Sequence, residues 1–242
     1  MKTSAFFFAT VLSGGLLLSS CNSNQSAETA TATTDTPASA DTAAHGNMAG
    51  MDHSAMDHGS AGTTTSPQMA SMNEMMAKMS ALKPNGNTDH DFADMMLEHH
   101  RGAVAMADIE LRDGKDATMR RLAEKIKADQ QKEMSELGPI AERLDTAPNN
   151  YKPQDPADPF ASKMKASMDE MMKNMPAPVA NPDMNFNMLM TVHHQSAVAM
   201  AEAELAHGKD TKLKELAQQM VTAQKKEIQQ LQSWHKKNAD KM

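Results

Sequence analysis

Asp89-His90-Asp91-Phe92-Ala93-Asp94-Met95-Met96-Leu97-Glu98-His99-His100 returns 94 residues later as Asp183-Met184-Asn185-Phe186-Asn187-Met188-Leu189-Met190-Thr191-Val192-His193-His194. Carried forward without a gap, the correspondence pairs Asp89 to Leu137 with Asp183 to Leu231 and keeps 21 of 49 positions identical, so it is an internal duplication. Within each copy the apolar positions follow a helical period. Phe92, Met96, His99, Ala103 and Met106 fall at i, i+4, i+7, i+11 and i+14, with His100, Val104, Ala107 and Leu111 in a second stripe beside them. Gly114-Lys115-Asp116, repeated as Gly208-Lys209-Asp210, reads as the end of one helix and the start of the next, with glycine as C-cap and aspartate as N-cap. Leu122, Ile126, Gln130, Glu133 and Leu137 continue the pattern, and Gly138-Pro139 is expected to interrupt it.

Each copy is therefore a helical hairpin. A Met-rich leader helix precedes it, around Met72-Asn73-Glu74-Met75-Met76 in the first copy and Met168-Asp169-Glu170-Met171-Met172 in the second, at an offset of 96. One hairpin cannot cover its own apolar faces, whereas two can cover each other, which predicts an all-α four-helix bundle. The expected organisation is an export signal over 1–20, a disordered tether over 21–67, a first repeat over 68–147, a Pro-rich linker over 148–160 and a second repeat over 161–242.

Composition supports this reading. The 25 methionines against only 6 Phe, 1 Trp and 1 Tyr mean that Met, Leu and Ala supply the apolar volume, and these favour helix over sheet. The net charge of -7 excludes a basic nucleic-acid binder, and no nucleic-acid partner is expected. The single cysteine excludes an intrachain disulfide and a multi-thiolate zinc site.

That cysteine has a reading of its own. Lys2 followed by the apolar run Phe6 to Leu18 has the form of a secretory signal too short to span a membrane, and it ends in Leu18-Ser19-Ser20-Cys21, which resembles a bacterial lipobox. Lipidation of Cys21 would anchor the mature chain to a bacterial envelope membrane, facing the periplasm or on the outer membrane. The Ser/Thr/Ala/Asp tract that follows lacks the apolar surface to fold, yet it concentrates His45, Met48, Met51, His53, Met56 and His58. Thioether and imidazole donors suit Cu(I), and this stretch resembles Met/His-rich segments of bacterial copper-resistance proteins.

The same donors recur in the duplicated helices. Met96 lies one turn before His99 and His100, and Met190 one turn before His193 and His194, so each copy offers two imidazoles and a thioether. Met106 and Met200 sit seven residues past the first histidine and could reach only the other copy's site, if the helices pack antiparallel. Glu133 with Gln130, and Glu227 with Gln224, either fix the imidazole tautomers or face solvent.

The pattern Asp-x-x-Phe-x-x-x-Met-x-x-His-His, then Met-Ala, Gly-Lys-Asp, Leu-Ala and Gln-x-x-Glu resembles the domain-of-unknown-function 305 family, in two copies from about Met69 onward. The second copy includes Trp234, where the first has Ile140. The resemblance implies a ferritin-like four-helix bundle, with some members associated with copper or silver in the periplasm.

Together these readings predict an envelope copper-binding protein, favouring Cu(I) with Ag(I) or Cu(II) as alternatives. It would sequester the metal or hand it to a copper-exporting or copper-accepting partner, without enzymatic activity. Two rivals remain. A di-metal oxidase needs Glu-x-x-His on two helices, but the only one is Glu204 to His207, and its counterpart is Glu110 to Asp113. A metal-independent partner-binding bundle would use the Met stripes Met69, Met72, Met76, Met79 and Met164, Met168, Met171, Met175 as a groove.

Overall fold

Each helix begins at a short polar side chain that takes up backbone N–H groups otherwise left without partners. Residues 65–241 are described by the structure, a computed structural model. Ser66 accepts from Met69 N–H at the start of α1 (Pro67–Ala81), and Asn87 from His90 N–H at α2 (Thr88–Asp113). Asp116 accepts from Thr118 and Met119 N–H at α3 (Ala117–Leu144). The second copy repeats the device with Asp158 before α4 (Pro159–Lys173), Asn181 before α5 (Pro182–His207) and Asp210 before α6 (Thr211–Asn238), and a 3-10 turn, Ala239–Lys241, follows. Among the described residues there is no strand, and no helix is long and apolar enough to cross a membrane.

Two cross-repeat bonds set the direction of the central pair. Asp89, at the start of α2, accepts from the N–H groups of Lys209 and Asp210 beyond the end of α5. Asp183, at the start of α5, accepts from Lys115 and Asp116 beyond the end of α2. The two helices therefore run antiparallel, with His99-His100 and His193-His194 near their midpoints. Helix α3 packs along α2 and α6 along α5, and α3 and α6 also touch, which closes a helical bundle made of two duplicated hairpins. Leader α1 lies against α2 and α5, and leader α4 against α5.

Three local expectations change. Gly138-Pro139 does not stop α3, which continues to Leu144. The N–H that Pro139 lacks would have bonded the carbonyl of Ser135, and both residues are exposed, so water can serve that carbonyl. Meanwhile Leu137, Ile140 and Ala141 keep the apolar stripe buried. The glycines of the Gly-Lys-Asp turns do cap α2 and α5, but with φ of -66° and -63° they need no left-handed freedom. Their reason is space: a Cβ on Gly114 would stand 2.2 Å from Glu110 Oε1, and one on Gly208 would stand 1.9 Å from Glu204 Oε1.

The third change concerns the leaders. They correspond at an offset of 92, one helical turn from the 96 suggested by Met-rich identity, because both are 15 residues long from a proline. Their buried stripes also match there, Gln68, Met72, Met75 and Met79 against Phe160, Met164, Ser167 and Met171. The stripes point inward. Met69, Met72, Met75, Met79, Met164 and Met171 are buried, while Met76, Met168 and Met175 are half-buried against the same core, so the stripes contribute to packing of the bundle.

Candidate metal centre

At the middle of α2 and α5 four imidazoles lie wholly inside the bundle. His99, His100, His193 and His194 are all 0% exposed. The rings of His99 and His193 stack across the repeat interface with centroids 3.7 Å apart and planes tilted by 35°. His193 Nε2–H donates to the carbonyl oxygen of His99 at 2.9 Å. The other two rings are held from the outer helices: His100 Nε2–H donates to Glu133 Oε2 at 2.8 Å, and His194 Nε2–H to Glu227 Oε2 at 2.9 Å. A carboxylate can only accept, so these bonds settle which nitrogen carries the proton. The tautomer-fixing reading of Glu133 and Glu227 is the one the structure adopts.

Every other nitrogen of the four rings is buried without a partner. This applies to Nδ1 of His100, His193 and His194 and to both nitrogens of His99, and the amides of Gln130 and Gln224 share the condition. Each such group costs on the order of 1–3 kcal/mol, so the layer is maintained against stability. Burial first, and then the neighbouring imidazoles, hold His99 and His193 well below the ordinary histidine range. They are neutral at physiological pH, the form in which imidazole coordinates metals.

Met96 and Met190, both fully buried, flank this layer one turn to either side, about 5 Å along the axis. Met106 and Met200 are also fully buried. Because His99 and His193 stand level in the antiparallel pair, the seven residues to Met106 or Met200 leave about 10 Å from the layer, whichever repeat is considered. The antiparallel packing of α2 and α5 sets Met106 on the side of the layer where Met190 stands, and Met200 on the side of Met96, all four within the core. Cys21, His45, Met48, Met51, His53, Met56 and His58 lie outside the described residues. Among the described residues no group of three or more His, Cys, Asp or Glu side chains is placed to hold a metal ion by itself, so any copper site here would need the methionine sulfurs as well.

The family model for the domain of unknown function DUF305 matches residues 17–138 and 89–235. The chain belongs to this family. No curated protein matches the chain significantly. Among solved structures, a DUF305 fragment from Deinococcus radiodurans is 28% identical, covering 62% of this chain and 97% of its own, with a TM-score of 0.45. A structure described as CopM in the Cu(I)-bound form is 25% identical, covering 62% of this chain and 96% of its own, with a TM-score of 0.47.

In this DUF305 protein the ends of the central helices carry a second polar arrangement. Glu110 and Glu204 are 0% exposed, and no N–H or hydroxyl reaches their carboxyl oxygens. Burial, then the Asp183 carboxylate beside it, pushes the pKa of Glu110 up to about 9. Burial and then Asp89 do the same for Glu204, also to about 9. Each glutamic acid is therefore protonated at neutral pH and bonds the aspartate that receives two backbone N–H groups from the opposite repeat. Glu204 and its neighbour His207 do not join the histidine layer, since the His207 ring lies 6.4 Å from Phe160. In the sequence Glu110 and Glu204 stand out only through the incomplete Glu-x-x-His comparison. Their conservation between the copies, together with Asp89/Asp183 and Gly114/Gly208, was the signal for these clamps.

Proposed function

We propose that the protein binds copper as cargo, Cu(I) foremost, and acts by sequestration or hand-over rather than catalysis. Lipid anchoring through Cys21 to a bacterial envelope membrane would place it where exported copper is met. The observation that carries the reading is the buried layer of four imidazoles, with coordinating nitrogens left unpartnered and a thioether one turn away on each side. Soft thioether and borderline imidazole donors match Cu(I), and Ag(I) would substitute for it. Glu133 and Glu227 would orient His100 and His194 from behind the coordinating face. The Met/His-rich segment from His45 to His58 offers the same donors, and supplies a second, faster-exchanging place of capture.

The test is anaerobic titration of the chain from Cys21 onward with Cu(I) against a competing chelator. Replacing Met96 and Met190 by Leu keeps core volume while removing sulfur, and is expected to weaken the tightest site at least tenfold. Replacing His99, His100, His193 and His194 by Ala should abolish it, with the 45–58 segment retaining weaker capacity. Wild-type affinity and stoichiometry in both variants would return the layer to a structural role.

A further inference from the structure

Between the first half of α3 and the second half of α6 the bundle opens into a cleft of ≈ 890 Å³. Its floor is apolar, with Met119, Leu122 and Trp234 at most 8% exposed. Its walls are cationic. Arg121 and Lys125 on α3, and Lys226 and Lys237 on α6, stand exposed along them against the single carboxylate of Asp116. This runs against the charge of the whole chain, which is -7.

The duplication supplies an internal control for this surface. Helices α3 and α6 correspond along their full length at an offset of 94, so exchanging the repeats carries the cleft onto the opposite end of the same helix pair. The thirteen equivalent positions there hold three cations and three carboxylates. At that end the two helices are tied together: Arg143 Nη2 donates to Asp210 Oδ2 at 2.6 Å, and Lys212 Nζ stands 3.5 Å from Glu136 Oε2. At the cleft Thr118 and Gln230 take the places of Lys212 and Glu136, which removes the second tie. Arg121 stands in place of Glu215, and Trp234 in place of Ile140. One end of the pair is neutral and bridged, while the other is cationic and open over an apolar floor.

We propose that this cleft docks a short, acidic, amphipathic helix of a partner protein. At 1.5 Å per residue the α6 wall from Lys226 to Asn238 is about 18 Å long, room for roughly three helical turns. A trough between two antiparallel helices accepts a third helix, whose apolar stripe would cover Met119, Leu122 and Trp234. Carboxylates flanking that stripe would meet Arg121 on one wall and Lys226 and Lys237 on the other, and this charge complementarity selects an acidic partner. A flat anionic membrane would touch the cations of the rim and leave the recessed floor uncovered. The proposal does not rest on the copper reading.

Trp234 is the only tryptophan of the chain, so its emission reports on the cleft. The probe is a synthetic helix-forming peptide of about twelve residues, with leucines on one face and glutamates flanking them, titrated into the full chain. A saturable change in Trp234 emission is expected. Arg121→Gln, Lys226→Gln and Lys237→Gln together, all at exposed positions, should weaken it about tenfold, as should glutamine in place of the peptide's glutamates. Arg143→Gln, at the bridged end, should leave it unchanged. No saturable response, equal affinity in the triple variant, equal affinity for the glutamine peptide, or an equal loss in Arg143→Gln would each overturn the site. A stronger Trp234 response to phosphatidylglycerol vesicles than to the peptide would assign the cleft to a membrane surface and overturn helix docking.

Discussion

Glu133 and Glu227 occupy the same place in the two repeats and hold equivalent imidazoles at nearly the same distance, yet only one of them is locked. Glu227 also accepts from Lys125 Nζ at 2.7 Å, a lysine reaching across from the first repeat, and its side chain is 4% exposed. The position matching Lys125 in the second repeat is Gln219, so Glu133 receives no such cation and stands 14% exposed. At the seam, His193 donates to the carbonyl of His99, and no reciprocal bond runs from His99. By contrast, the clamps at the helix ends are the same in both halves: Asp89 with Glu204, and Asp183 with Glu110, each with a glycine cleared of its Cβ. Duplication has thus been preserved where it fixes the direction of α2 against α5, and relaxed where it shapes the surroundings of the histidines. Two inequivalent halves of one histidine layer are the result.

The largest effect should come from the shared ends. Glu110 and Glu204 have ordinary values near 4.5 when unfolded and about 9 in the bundle, so the folded state holds the extra protons between those limits. Their contribution is fully present below about 4.5 and is lost as pH rises through 9. The charges facing them are Asp183, Arg120 and Asp116 for Glu110, and Asp89, Lys214 and Asp210 for Glu204. Between pH 7 and 9 thermal unfolding should lose on the order of 3 kcal/mol, roughly 5–10 °C. Glu110→Gln with Glu204→Gln retains an amide donor for each aspartate and removes the titration. The double variant is expected to be flat over that range, with each single variant halfway. A steep decline in the double variant would show that other groups open the ends.

A smaller effect should separate the middles. Glu227→Gln should cost about 2 kcal/mol in urea unfolding and Glu133→Gln about 1 kcal/mol, since only the former also strips the carboxylate from a cross-repeat lysine. Burial works to raise the pKa of Glu227, but the His194 N–H and the Lys125 ammonium overrule it and hold the carboxyl below its ordinary range. A depressed value stabilises above about 4.5 and is lost as pH falls through it. The deficit of Glu227→Gln should therefore shrink below that pH. Equal costs in the two repeats would mean that Lys125 adds nothing and that the halves are equivalent after all.

These features differ in how far the chain alone discloses them. The bundle was legible because its evidence is periodic and duplicated: a face such as Phe92, Met96, His99 and Ala103 needs no partner to be recognised as a helix face. The histidine layer was legible for the same reason, whereas Glu133 and Glu227, seven residues along the stripe from buried Ile126 and Met220, fit a bond to the imidazoles and a solvent-facing position equally well until the partner helix is placed. A helical stripe shows which face Met106 and Met200 share with the histidines, while their axial level across the interface depends on register. Pro139 was misread because a proline stops a helix only if the freed carbonyl has nowhere to turn, and exposure of Ser135 is a tertiary fact. His90 and Asp91 at the start of α2 meet Asp145 at the end of α3 and Tyr151 of the linker, contacts that no local pattern could announce.

The finest difference between the repeats lies where the leaders meet the central helices. Gly102 in α2 has Met75 of α1 pressed on it, so that an added Cβ would stand 2.5 Å from the sulfur and 2.8 Å from the Met75 Cβ. The second repeat has Ser196 there, buried with its hydroxyl unpartnered, beside an α4–α5 groove of ≈ 390 Å³ that includes Ser167 and Met171. Alanine placed at the two equivalent positions should act with opposite sign. Ser196→Ala keeps the Cβ and removes a hydroxyl with no bond, which should stabilise by about 0.5–1 kcal/mol. Gly102→Ala gains about 1 kcal/mol of helix propensity but must displace Met75. A sulfur can swing aside. The Met75 Cβ cannot move without shifting α1, an overpacking cost of about 1–3 kcal/mol that leaves the variant less stable than wild type. If both alanines stabilise, α1 is free to ride outward and the contact of Met75 on Gly102 carries no energetic weight. If both destabilise, the Ser196 hydroxyl has a partner that its surroundings do not reveal, and the leaders are more alike than their residues.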